Sequence, residues 1–89
     1  MRRPVRTNQF KKDVILARRR GKNLEKLRVV MERLTHQETL EARHKDHPLH
    51  GNFRGRRECH LEPDWLLIYK LDGDDIIFER TGTHSDLFE

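Results

Sequence analysis

The chain of 89 residues has a single cysteine, few aromatic residues and no long hydrophobic run. With Cys59 alone no internal disulfide can form, so a reducing compartment is the simpler expectation. No segment approaches the roughly 20 apolar residues that a helix needs to cross a bilayer. The two arginines near the N-terminus are followed by no apolar run, which argues against a signal peptide. We therefore expect a cytoplasmic protein that does not enter a membrane.

Apolar residues are also scarce relative to charge. Hydrophobic residues make up 34% of the chain and charged residues 38%, so the core must be modest. A chain of this length forms one domain, here residues 1–89, of marginal stability. The net charge of +4 favours a polyanionic partner. The same charge fits a solvated basic surface equally well, so composition alone does not decide between them.

Two amphipathic helices are expected in the first third of the chain. The first begins at Thr7 or Asn8, which are favourable N-cap residues, and ends near Arg20. Gly21 is suited to the left-handed conformation that ends many helices. The second helix begins after Asn23, and its apolar residues have the spacing of one buried face: Leu24, Leu27, Met31 and Leu34. The short connection between them predicts a helical hairpin.

An antiparallel sheet is expected to follow the helices. The apolar run 65–69 is typical of a central strand covered on both faces. Residues 71–74 predict a hairpin turn that leads to a third strand at 76–80. Residues 4–6 can add an edge strand, since proline offers no N–H to a sheet. The predicted fold class is α+β, with the helical hairpin packed on one face of a small antiparallel sheet.

One strand of this sheet carries polar side chains on one of its faces. Alternation along residues 58–61 places Glu58 and His60 on one side and Cys59 and Leu61 on the other. Upstream, residues 39–42 predict a short helical turn and residues 47–53 an ordered loop, because Pro48 disfavours helix before it. We expect the face with Glu58 and His60 to be left for function.

The residue types available match the needs of RNA cleavage. The 2′-hydroxyl must lose a proton, the 5′-oxygen must gain one, and charge on the phosphate must be stabilised. Histidine suits proton transfer near neutral pH, and arginine matches phosphate geometry. The candidates are His47, His60 and His84 with Asp64 and Glu58 for proton transfer, Arg56, Arg57 and Arg80 for charge, and Trp65 and Phe88 for base stacking. This reaction needs no cofactor, and we expect none.

A zinc site is an alternative use of the histidines. His44, His47 and His50 recur at three-residue intervals, and Cys59 is a further donor. However, the chain has no paired-cysteine spacing, and Pro48 interrupts the regular geometry that would align the histidines. We therefore predict no metal site.

Each candidate also has a purely structural interpretation. His60 can be a satisfied polar residue on a strand, Asp64 a turn residue after a proline, and Trp65 a core residue at the start of an apolar strand. Taken residue by residue, a non-catalytic RNA-binding module with a basic face remains an alternative to a nuclease.

Three separated blocks of sequence resemble one known family. They are KDHPL at residues 45–49, HLEPDWLLIYKL at 60–71 and FERTGTHSDLF at 78–88. In this order they resemble the YafQ family of RelE-type toxins from bacterial type II toxin–antitoxin systems. The resemblance covers nearly the full chain and implies a RelE-like fold.

The resemblance also implies an activity and partners. It implies a ribosome-dependent mRNA endoribonuclease that cuts the message in the ribosomal A site and inhibits translation. Such toxins are held inactive by a cognate antitoxin that dimerises through a ribbon-helix-helix region. The toxin–antitoxin complex is expected to bind operator DNA through the antitoxin. A relative that has kept antitoxin binding but lost activity is a further alternative.

Individual residues fall on functional positions of that family. His47, His60, Asp64 and His84 match its acid–base positions. Trp65 and Phe88 match positions that affect substrate placement and activity, and Arg80 matches a basic position suited to the scissile phosphate. Glu58 stands where close relatives often have aspartate, so its carboxylate lies one methylene further out.

Overall fold

The computed structural model describes residues 1–88, which form an α+β fold. The elements are β1 (Arg3–Arg6), α1 (Asn8–Arg19), α2 (Leu24–Thr35), β2 (His47–Pro48), β3 (Arg57–Glu62), β4 (Trp65–Asp72), β5 (Asp75–Gly82) and α3 (His84–Phe88). The strands form one sheet in the order β1-β5-β4-β3-β2. The predicted fold class is confirmed. None of these helices is long and apolar enough to cross a membrane.

The two long helices begin and end where the sequence predicts. The Thr7 side chain caps α1 by accepting a hydrogen bond from the backbone N–H of Phe10. The Asn23 side chain caps α2 by accepting from the N–H of Glu25. Between them Gly21 has a φ of +78°, the left-handed conformation that a Cβ would disfavour. Local capping chemistry therefore fixes the hairpin.

The sheet is mixed, so the prediction of an antiparallel sheet is wrong for one strand. The edge strand β1 pairs in parallel with β5, and its Arg3 lies opposite Asp75. All other neighbouring strands are antiparallel. A parallel pair requires a crossover connection, and here the intervening chain includes both helices. The edge position of Pro4 is as predicted.

The segment between α2 and β3 is more regular than predicted. Instead of a helical turn at residues 39–42, a 3₁₀ turn covers Ala42–His44, and a second covers Gly51–Phe53. The predicted loop at 47–53 begins with β2, in which His47 pairs with Glu58 of β3. A two-residue strand has no periodicity of its own, so only its pairing partner defines it.

The sheet separates a large core from a small one. On the helical side, Phe10, Ala17, Leu27, Val30 and Leu34 pack against the sheet residues Cys59, Leu61, Trp65, Leu67, Tyr69, Ile76 and Phe78. On the other side, Leu66, Ile68 and Leu87 form a smaller cluster. β4 is consequently buried from Trp65 to Tyr69, as predicted for a central strand. Glu58 and His60 pair across strands with Ile68 and Leu66, so they lie on the face away from the helices.

Candidate active site

The three candidate histidines come from distant parts of the chain and lie side by side. The ring centroids of His47 and His60 are 6.3 Å apart, and those of His60 and His84 are 6.0 Å apart. His47 is on β2, His60 on β3 and His84 at the start of α3. The sheet face opposite the helices therefore carries a row of three imidazoles.

A buried carboxylate lies between two of these imidazoles. Glu58 is 5% exposed, and its Oε1 lies 3.2 Å from His60 Nε2 and 3.7 Å from His47 Nε2. The cross-strand pairing of His47 with Glu58, and the two-residue spacing along β3, bring the three side chains to one face. Glu58 is thus within ion-pair distance of both rings and can accept a proton from His60, the nearer of the two.

His84 is held by a second carboxylate. Asp64 lies in the turn between β3 and β4, and its Oδ1 accepts from both the backbone N–H and the Nδ1 of His84, at 2.9 and 2.6 Å. These two bonds lower the pKa of Asp64 from its ordinary value, the backbone bond contributing most. Because Nδ1 carries the proton in this bond, His84 Nε2 is left for substrate.

Backbone carbonyls orient two further imidazoles. His47 Nδ1 donates at 2.6 Å to the carbonyl of Lys45, a residue with a left-handed φ of 46°. His44 is buried, and its Nδ1 donates to the His60 carbonyl at 2.7 Å. The side chain of His47 therefore turns Nε2 toward Glu58, while His44 supports the strand that carries His60.

The histidines do not assemble a metal centre. Within residues 1–88, no group of three histidine, cysteine, aspartate or glutamate residues is placed to hold a metal ion. Cys59 faces the helices, and burial raises the pKa of its thiol well above the ordinary value. A thiol in that environment is neither a ligand nor a nucleophile near neutral pH.

The short helix α3 is held by a clamp, which is the set of hydrogen bonds that join Thr83, Asp86 and Arg20. Thr83 and Asp86 form a reciprocal capping box: the Asp86 N–H donates to Thr83 Oγ1 at 3.1 Å, and the Thr83 N–H donates to Asp86 Oδ2 at 2.9 Å. Arg20, at the end of α1, donates to both oxygens of Asp86 at 2.6 and 3.2 Å. The hydrogen bond from Arg20 is the main reason that the pKa of Asp86 lies well below its usual range. A five-residue helix is unstable alone, so the clamp positions His84.

Arg20→Met is expected to loosen α3 and to slow RNA cleavage without unfolding the protein. Misplacing a catalytic group by about 1 Å can cost roughly 100-fold in rate, which sets the upper limit of the effect. Cleavage of an RNA substrate and amide hydrogen exchange over residues 84–88 measure the two consequences. Arg33→Met removes a cation from the end of α2 and serves as the matched control. Unchanged cleavage with faster exchange at α3 would contradict this positioning role.

The two candidate aromatic residues differ in exposure. Phe88 is 39% exposed on α3, with its ring centroid 6.3 Å from that of His84 and 5.2 Å from that of Phe53. It is free to stack on a base. Trp65 is 1% exposed and packs in the helical-side core, so the prediction that it stacks on a base is wrong for this structure. Alternation along β4 places Trp65 on the helical side together with Leu67 and Tyr69.

Trp65→Phe separates packing from substrate contact. The indole Nε1–H is buried without a hydrogen-bond partner, so phenylalanine removes an unsatisfied donor while losing some volume. We expect the free energy of unfolding to stay within about 1.5 kcal/mol of wild type, and cleavage to persist. Trp65→Ala should lower the free energy of unfolding by about 3–5 kcal/mol. Denaturant titration and RNA cleavage check both; a stable but inactive phenylalanine variant would restore a substrate role.

The candidate arginines are engaged with carboxylates. Arg56 Nε donates to Glu79 Oε1 at 2.6 Å, and Arg80 Nε donates to Asp13 Oδ2 at 2.8 Å. In the described part of the chain, neither guanidinium forms a hydrogen bond or ion pair with the three histidine side chains. Arg80 pairs in register with Ile68, but its guanidinium is bonded to Asp13 of α1 and not to the residues of the histidine row. The remaining N–H groups of each arginine are available to phosphate. The third candidate arginine, Arg57, donates from Nε to Asp46 Oδ1 at 3.2 Å.

Sequence reasoning missed several supporting residues. Asp13 is buried on α1 and accepts from Arg80 and from the Thr81 N–H at 3.1 Å. Its helical position gave no signal. Asp86, by contrast, stands three residues after Thr83, which is the spacing of a capping box and could have revealed α3.

Comparison with known proteins agrees with the fold and with the motifs. The family model described as "bacterial toxin of type II toxin-antitoxin system, YafQ" matches residues 2–89 of this chain. The mRNA interferase toxin YafQ of Escherichia coli K12 is 49% identical over 83 residues, covering 92% of this chain and 90% of that protein. The crystal structure of YafQ from E. coli BL21(DE3) superposes with a TM-score of 0.95 at 46% identity over the full length of both chains. YafQ in the E. coli DinJ–YafQ toxin–antitoxin complex gives 0.91 at 47% identity, over 99% of this chain and 98% of that one. The chain therefore belongs to the YafQ family of bacterial type II toxins.

Proposed function

We propose that this chain is an mRNA interferase, an endoribonuclease that cuts messenger RNA and thereby inhibits translation. The observation that carries the proposal is the row of His47, His60 and His84 beside the buried carboxylate of Glu58. The E. coli relative with 49% identity is an mRNA interferase toxin, which supports the same activity here. No cofactor enters the reaction.

The proposed reaction is in-line attack of a 2′-oxygen on the adjacent phosphorus. One imidazole removes the 2′-hydroxyl proton, and another gives a proton to the departing 5′-oxygen. The P–O5′ bond breaks as the new P–O2′ bond forms, which yields a 2′,3′-cyclic phosphate and a 5′-hydroxyl. His84 Nε2, left free by the bond from Nδ1 to Asp64, is suited to one of these transfers. His47 and His60 share Glu58 and are suited to the other.

Other residues act on binding and charge in this proposal. Phe88 stacks on a base next to His84, since its ring is exposed there. Arg80 and Arg56 stabilise charge on the phosphate through the N–H groups that their carboxylate partners leave free. Asp64 keeps His84 in one tautomer and orientation.

The proposed setting is the cytoplasm, with the message held in the ribosomal A site. The DinJ–YafQ complex of E. coli supports neutralisation by a cognate antitoxin. We propose that the antitoxin of this chain dimerises through a ribbon-helix-helix region and that the complex binds operator DNA through it.

Mapping message ends after induced expression tests the activity. Fragments with 5′-hydroxyl and 2′,3′-cyclic phosphate ends, appearing together with growth arrest, are the expected result. A non-catalytic RNA-binding module would instead retain RNA in a salt-dependent way and leave messages intact. That second pattern would overturn the proposal.

A further inference from the structure

The solvent-facing side of α1 is a strip of positive charge. Lys11, Lys12, Arg18 and Arg19 are all exposed, and Ile15, 54% exposed, lies between them. We call these five residues the α1 outer face. Lysines 11 and 12 precede arginines 18 and 19 by seven residues, so the charges form two rows that span about 10 Å along the helix.

These four cations are not neutralised by the rest of the described chain. The ion pairs within residues 1–88 do not include any of them, and the one acidic residue of α1, Asp13, is buried beneath the helix. The neighbouring helix is built differently. On α2, Arg28 pairs with both Glu25 and Glu32, which balances its exposed surface. The contrast shows that the α1 outer face is an uncompensated cationic surface rather than the general pattern of the helices.

Helix stability accounts for only part of this arrangement. The first turn of α1 has no acidic residue, and Lys11 and Lys12 follow it closely, although the N-terminal end of a helix dipole favours negative charge. Arg18 and Arg19 lie in the last turn, where the helix dipole favours cations, so only the two lysines oppose it. Ile15 exposes apolar surface without covering any core. Lysines near the N-terminal end and an exposed isoleucine do not help the fold, and features that local stability does not favour point to binding.

The α1 outer face points in a different direction from the sheet face that carries the histidines. α1 buries Phe10 and Ala17 against one face of the sheet, so its outer face points away from the sheet. Glu58, His60 and the other imidazoles occupy the opposite face of the sheet. Although Arg20 at the end of α1 reaches Asp86 of α3, the strip faces away from the histidines and is placed to meet a polyanion other than the message segment bound there.

We propose that the α1 outer face docks onto the phosphate backbone of a second, folded RNA, which presents the message to the histidines. The inference rests on the proposed function, in which that RNA is ribosomal. Lysine and arginine dominate the strip, as they do in surfaces that bind phosphate backbones. Protein partners instead favour aromatic and aliphatic centres from which lysine is depleted. An acidic protein is thus the less suitable occupant.

A quadruple neutralisation tests this docking surface. In a His84→Ala background, which prevents cutting, Lys11, Lys12, Arg18 and Arg19 are changed to glutamine. The matched control changes Arg3, Arg28, Arg33 and Lys70 to glutamine and so removes the same net charge elsewhere. Sedimentation with purified bacterial ribosomes over a range of salt concentrations measures docking, and fluorescence anisotropy with an eight-nucleotide single-stranded RNA measures binding at the row of histidines.

The α1 variant should bind ribosomes at least tenfold more weakly, with the slope of log affinity against log salt shallower by roughly 3. Its oligonucleotide affinity, and the ribosome affinity of the control, should stay within about twofold of the parent. Unchanged ribosome binding by the α1 variant would overturn the inference. So would an equal loss on the oligonucleotide, or a loss confined to binding of a purified acidic antitoxin or anionic vesicles. Message cutting by the wild-type chain is scored separately, so failure of the nuclease proposal is recognised independently.

Discussion

Replacing His84 with alanine is expected to lower the rate of message cleavage by about 10²- to 10⁴-fold and to abolish growth arrest on induction. His84 contributes little to packing, because it is exposed and its contacts are with Asp64 and the neighbouring rings. Removing it leaves both cores untouched. The measurement is mapping of message ends in cells, together with single-turnover cleavage by purified protein.

His36→Ala is the matched control for this prediction. His36 is exposed just past the end of α2, on the helical side of the sheet, and should be dispensable for cleavage. Both variants should unfold at the denaturant concentration of the wild type and should still copurify with the antitoxin. Normal cleavage by a folded His84→Ala protein would remove His84 from the proposed mechanism.

The parts of the fold that depend on local chemistry were predictable. The helix ends are fixed by the caps Thr7 and Asn23 and by the left-handed conformation of Gly21. The sequence around each of these residues is enough to identify its role. The parallel pairing of β1 with β5 was not predictable, because it depends on contacts between residues about 70 positions apart. Periodicity assigns a residue to a strand but does not choose its partner.

The site shows the same division. Alternation along β3 was enough to place Glu58 and His60 on one face, away from the helices. The meeting of His47 and His84 with them depends on β2, a strand of two residues, and on α3, a helix of five. Elements this short are stabilised by tertiary contacts rather than by propensity, so only the family resemblance predicted that these residues act together. Trp65 was misassigned because position in a motif does not reveal exposure.

Glu58→Gln is expected to reduce cleavage by roughly 10- to 100-fold, the usual cost of removing a carboxylate that orients a functional imidazole. The carboxylate lies 3.2 Å from His60 Nε2, and an amide of the same shape keeps one acceptor but loses the charge. The loss should appear in the rate of the chemical step, while the affinity for RNA changes little. Single-turnover rates over a range of RNA concentrations separate the two quantities.

The same substitution should leave the protein as stable as the wild type or raise the free energy of unfolding by about 1 kcal/mol. Glu58 is a buried carboxylate whose ion-pair partners are imidazoles, which do not carry the fixed charge of lysine or arginine. Its desolvation is therefore poorly compensated, and a neutral isostere relieves that cost. Glu58→Asp keeps the charge and should retain more cleavage activity than glutamine does, even though its shorter side chain packs less well. A glutamine variant that loses both stability and activity would instead identify Glu58 as part of the packing of the sheet, and full activity would exclude it from the site.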